Sequence, residues 1–129
     1  SNLNNITHLL DKITFFECDL TDPISTHQMI KKIKPDCIFH FAAESFVSPS
    51  WNHPHRYMNV NYNATVNLLE GIKNYSPKTL IHIPGSGEEY GEVNESDLPI
   101  TEKTELKPVN PYAVTKIAQD LISYVYFKS

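Results

Sequence analysis

The 129-residue chain is 40% hydrophobic and 20% charged, a balance that suits one globular domain or part of one and excludes a disordered, low-complexity segment. Its net charge of -4 and its scattered lysines and arginines argue against a nucleic-acid surface, because phosphate binding needs a clustered basic face. No apolar run reaches the roughly eighteen residues of a membrane span. The polar start Ser1-Asn2-Leu3-Asn4-Asn5 is not a signal peptide, and Cys18 and Cys37 have neither metal-ligand nor disulfide spacing, so buried free thiols in a cytoplasmic protein are expected.

Apolar runs of strand length alternate with amphipathic stretches, the pattern of βα units on a parallel sheet. Ile13-Thr14-Phe15-Phe16-Glu17-Cys18 reads as a first strand. Asp22-Pro23 opens a helix, with Asp22 as N-cap and Ile24, Met29, Ile30 and Ile33 on its apolar side, ending near Lys34-Pro35. Asp36 to Phe41 reads as a second strand buried on both faces, followed by a loop with Ser45, Ser48, Pro49 and Ser50. From Pro54 to Tyr75 the spacing of Tyr57, Val60, Ala64, Leu68, Leu69 and Ile72 predicts one long helix. Thr79 to Ile83 is the third strand, stopped by Pro84-Gly85-Ser86-Gly87. The polar segment Glu88 to Pro108 is an excursion over the sheet edge. A last helix from Pro111 to about Phe127 would bury Ala113, Ile117, Leu121 and Tyr124.

Right-handed crossovers bring the carboxyl ends of such strands to one edge, where open α/β sheets bind ligands. The polar groups after the strands, Asp19, Ala42 to Ser45 and Ser86 to Glu88, are therefore expected to converge.

The strongest constellation is Tyr112-Ala113-Val114-Thr115-Lys116 at a helix start, since residues four apart share one face. A cation beside a phenol stabilises the phenolate and makes it a usable acid/base at neutral pH. Taken alone this spacing is common, and the plain alternative is a surface helix turn. Ser86-Gly87-Glu88-Glu89-Tyr90-Gly91 adds a hydroxyl and acids at the end of the preceding strand. Apart from any family, Glu88 and Glu89 would be solvated loop carboxylates.

Together these motifs resemble the extended short-chain dehydrogenase/reductases, over about Leu9 to Ser129. The resemblance implies an α/β fold, a partial Rossmann-like doubly wound parallel sheet lacking the first βαβ unit. It gives Ser86 the role of the hydroxyl that bonds the reacting oxygen, Tyr112 the acid/base, and Lys116 the group that tunes the tyrosine and holds the nicotinamide ribose. Glu88 takes the place of the glutamate that removes the sugar C5 proton in 4,6-dehydratases, an acid that epimerases and simple reductases of this family generally lack. Asp19-Leu20 resembles the pair at the adenine, and His40-Phe41-Ala42-Ala43-Glu44-Ser45 the strand end beside the cofactor, where the small Ala42 and Ala43 let the backbone approach. Asn61 resembles the family's helix asparagine and is read as structural, bridging helix to strand. For Asp19 the plain alternative is a cap on the next helix.

Ser48-Pro49-Ser50-Trp51 and Glu88-Glu89-Tyr90-Gly91 look like GDP-mannose 4,6-dehydratases, although Gly87 departs from the Ser or Asp usual there. NADP or NAD and a nucleotide sugar, GDP-mannose foremost, are the implied cofactor and substrate. A dTDP-glucose 4,6-dehydratase, an epimerase and a non-catalytic remnant remain open. No Gly-x-x-Gly-x-x-Gly loop occurs among the four glycines. The chain is thus expected to be the central part of an NAD(P)-binding domain, with the glycine loop and the substrate-binding carboxyl region outside it. Its exposed sheet edge would then call for a second copy or a complementing polypeptide.

Overall fold

A computed structural model describes residues 3–129; Ser1 and Asn2 of the polar start lie outside the described residues. The regular elements are α1 (Pro23–Ile33), β1 (Cys37–Phe39), α2 (Pro54–Tyr57), α3 (Ala64–Tyr75), β2 (Leu80–His82) and α4 (Pro111–Lys128). The two strands pair in parallel with Cys37 opposite Leu80 and Phe39 opposite His82. Flanking bonds from Leu80 N to the Asp36 carbonyl and from His40 N to the His82 carbonyl extend the ladder at both ends. Helix α3 packs on α1 and on α4.

Local chemistry explains the helix starts. Asp22 accepts from the amides of Ile24 and Ser25 and has Pro23 behind it, so α1 begins where two otherwise orphan donors find a carboxylate. Its end is a left-handed Lys34. Asn110 caps α4 through Ala113 N, again followed by proline.

Several expectations change. Residues 13–18 form no strand: among the described residues no neighbour supplies their ladder, and an extended segment without one is not a strand. The predicted long helix is α2 and α3 joined by one π-helical stretch, Met58–Asn63. The strand β1 is covered on one side only, with Phe39 65% exposed and Cys37 exposed as well, so that thiol is free but not buried; Cys18 is half-buried.

In α1 the buried positions are Thr26 and Ile30, one turn apart against α3, while Ile24 and Ile33 face outward. The inner face of α4 is rotated from the expected one. Tyr112, Ala113, Thr115, Lys116 and Gln119 are buried, whereas Leu121 and Tyr124 are exposed. The rotation follows from polar pairing: Thr115 and Gln119 find partners on the π-helical stretch and α3, a requirement that outweighs burying two apolar side chains.

Candidate active site

The first turn of α4 carries Tyr112, whose ring meets the edge of Tyr57 at a centroid distance of 6.4 Å. Tyr57 is itself buried and donates its hydroxyl to the Phe46 carbonyl at 2.5 Å, so the loop after β1 and α2 together wall one side of the Tyr112 ring. One turn on, Lys116 is only 5% exposed, and its Nζ donates to Gln119 Oε1. Burial lowers the pKa of Lys116, opposed by the charge of Glu89.

The turn after β2 is built by a reciprocal cap. Ser86 N donates to Glu89 Oε1 at 2.6 Å, and Ser86 Oγ accepts from Glu88 N at 3.3 Å. A Cβ on Gly85 would stand 3.1 Å from the Glu89 carboxylate, so the glycine leaves room for it. Because Ser86 Oγ accepts within the turn, its own proton is left to donate elsewhere. Glu89, which the sequence suggests is solvated, is buried instead, and desolvation raises its pKa; the Ser86 amide and Lys116 oppose the rise, while Asp120 adds to it. Glu88 is the exposed member of the pair, and its Oε2 accepts from Asn110 Nδ2 at 2.7 Å. Asn110 therefore ties this acid to the helix start that holds Tyr112.

At the end of β1, His40 is buried with Nε2 3.1 Å from Thr65 Oγ1, and burial followed by the Lys116 charge pushes its pKa down to about 4. Lys116 is thus faced by His40 from β1 and by Glu89 from the turn after β2. Neither residue stands out in the sequence as a site residue. A histidine in an apolar strand and an acid in a polar loop have ordinary local readings, and only the packing brings them to the lysine.

Asn61, fully buried, accepts from Glu44 N and donates to the Glu44 carbonyl and to Thr115 Oγ1. It bridges the loop after β1 to α4. Glu44 also pairs with Arg56 at 2.5 Å. Ala42 and Ala43 are exposed at the carboxyl end of β1. Asp19 bonds Thr21 N and Thr21 Oγ1 at 2.9 and 2.7 Å, an Asx turn, while the cap of α1 is Asp22. The Leu20 carbonyl accepts from Asn67 Nδ2, which fixes this segment to α3 rather than to the Tyr112–Lys116 turn. Among the described residues no group of His, Cys, Asp or Glu is arranged to hold a metal ion, and no helix is long and apolar enough to cross a membrane.

A parallel strand pair with helices and a Tyr-x-x-x-Lys turn near the strand ends defines part of a Rossmann-type nucleotide-binding fold. The chain belongs to the GDP-mannose 4,6 dehydratase family, whose model matches residues 1–129. It is 35% identical over 124 residues to UDP-glucose 4-epimerase of Mycoplasma genitalium, covering 92% of this chain and 36% of that protein. RMD of Pseudomonas aeruginosa, solved with NADPH, superposes with a TM-score of 0.77 at 33% identity over 83% of this chain and 35% of that one. The dTDP-glucose 4,6-dehydratase of Streptomyces venezuelae, solved with NAD bound, gives a TM-score of 0.87 at 26% identity over 99% and 39%. The chain spans about a third of the length of the curated relatives it matches.

Proposed function

We propose that the chain is the central part of a sugar-nucleotide 4,6-dehydratase acting on GDP-mannose, completed by further polypeptide or by a second copy. The observation that carries this reading is the Glu88–Asn110 bond, which sets a carboxylate beside the helix start bearing Tyr112. A dehydratase needs both a phenol at the sugar 4-oxygen and a base for the C5 proton.

The residues present fit NADP or NAD. Ala42 and Ala43 are exposed at the end of β1 and have no side chain beyond Cβ, so a dinucleotide can approach the backbone. Lys116 gives Gln119 one of its three N–H donors, leaving two for the nicotinamide ribose and Tyr112. Asp19 and Leu20 would lie toward the adenine. The dinucleotide would supply the hydride acceptor for sugar C4 and then the hydride donor for C6, and so end each cycle oxidised as it began. Tyr112 would take the proton of the 4-hydroxyl while the Lys116 ammonium stabilises the phenolate that precedes it. Ser86 would donate its hydroxyl proton to the same sugar oxygen. Glu88 would remove the C5 proton, made acidic by the neighbouring carbonyl, and pass it to the C6 hydroxyl, which leaves as water. Free thiols and a water-soluble substrate make the cytoplasm the proposed compartment.

A second reading, redox chemistry at C4 without dehydration, is favoured by the similarity to a UDP-glucose 4-epimerase. The deciding experiment incubates the chain with GDP-mannose and NADP or NAD, alone and with the amino-terminal βαβ segment of a relative, and follows products by mass spectrometry. A 4-keto-6-deoxy product supports the dehydratase. A mass-neutral epimer, separated by chromatography, supports the second reading, and a folded chain inert in every combination supports a non-catalytic remnant.

A further inference from the structure

Lys116 is held from within by a side chain outside the Tyr-x-x-x-Lys motif. Gln119 is 1% exposed and lies one turn further along α4. Its Oε1 accepts from Lys116 Nζ, while its Nε2 donates to Thr65 Oγ1 at 2.6 Å and to the Asn61 carbonyl at 3.2 Å. With the Thr65 hydroxyl donating to the Asn61 carbonyl at 2.7 Å, its oxygen accepts from Gln119, and a His40 protonated on Nε2 completes the set at 3.1 Å. An amide is the group that can accept from the lysine and donate twice to the opposite side; a carboxylate would lose both donations and an apolar side chain all three bonds.

We infer that Gln119 is a positioning residue for Lys116, its carbonyl holding the ammonium in place and its amide locked by Thr65 and Asn61. The inference rests on the role proposed above for Lys116. A neutral acceptor matters here because the acid near the ammonium is the buried Glu89. Without Gln119, a desolvated ammonium would turn to that carboxylate and leave its present place. The groups facing Lys116 are Gln119 on α4, Glu89 in the turn after β2, and the neutral His40 at the end of β1; Asp120 on α4 acts on Glu89.

The test is made on the ligand-free chain by NMR of lysine side chains labelled at Cε and Nζ. In the wild-type protein the Lys116 ammonium should exchange slowly and show a contact with the Gln119 side chain; fast exchange with no such contact would overturn the inference without any variant. In Gln119→Met the Lys116 titration midpoint should move down by about one pH unit, the scale of one hydrogen bond to a charged group. In Gln119→Glu it should move up, because a carboxylate replaces the carbonyl. A purely structural Gln119 would alter stability and leave both midpoints in place, and that result overturns the inference. Addition of NADP or NAD to the wild-type chain is the separate arm. A Lys116 resonance that ignores both dinucleotides, beside midpoints that moved as expected, would sink the cofactor role and leave the positioning intact.

Discussion

Asn110 bonds at both ends of its side chain: Oδ1 accepts from Ala113 N at 2.8 Å, and Nδ2 donates to Glu88 Oε2 at 2.7 Å. One residue therefore starts the helix that carries Tyr112 and anchors the acid proposed to act beside it.

Asn110→Asp separates these two tasks. Aspartate caps a helix as well as asparagine, yet it presents an oxygen to the Glu88 carboxylate where the amide presented a donor. The expected outcome is a helix start retained, as judged by the Ala113 amide resonance, with the dehydration proposed for the completed protein reduced at least tenfold. Asn110→Ala should instead lower stability by about 1–2 kcal/mol in urea unfolding, the scale of a lost cap.

Much of this arrangement is legible in the sequence, because caps are local. Asp22-Pro23 announces α1 through a residue adjacent to the donors it satisfies, and Pro111 marks the start of α4, whose Asn110 cap is seen in the structure. What is not legible depends on distant partners. Ile13 to Cys18 has strand composition but no described neighbour to pair with, so its extended backbone forms no ladder. Leu121 and Tyr124 have helical spacing, yet α4 turns its polar Thr115 and Gln119 inward because Asn61 and Thr65 stand opposite, 54 residues away in each case. The spacing of Tyr112 and Lys116 can be read directly, whereas Glu89 and His40 join them only through packing.

Asn61→Leu tests that interior bridge. The substitution removes three side-chain bonds and leaves Glu44 N and Thr115 Oγ1 without the partners they have now. Stability should fall by roughly 2–4 kcal/mol, read from the urea midpoint at unchanged slope. Lengthening the wait for refolding should not restore it, since the loss is one of equilibrium.

Gly91→Ala should uncouple the excursion from the turn that holds Glu88. Gly91 has φ of 61°, and a Cβ there would stand 2.0 Å from the Lys107 carbonyl oxygen. Lys107 N also bonds the Glu89 carbonyl at 3.0 Å, so relieving the clash displaces the strap crossing the turn. Backbone strain of about 1–3 kcal/mol adds to the displacement. Amide exchange of Lys107 and Glu89 should accelerate in the variant while that of α3 stays slow.

The buried His40 makes acid stability a reporter of the same interior. Its pKa falls from 6.5 unfolded to about 4 folded, mainly through burial and secondarily through Lys116. Between those values the unfolded chain binds the proton and the folded chain does not, so stability rises with pH across this window. The contribution is fully present above the unfolded value and is lost as pH falls through the folded one. Glu89, with its raised pKa, acts in the opposite sense over an overlapping range, so the comparison must be with a variant rather than with wild type alone. His40→Gln can still donate to Thr65 and does not titrate. Moving from about pH 7 to about pH 4.5, wild type should lose roughly 2 kcal/mol more unfolding free energy than His40→Gln, measured by urea denaturation. Equal losses in the two proteins would mean that His40 takes up its proton without opening the interface of β1, α3 and α4.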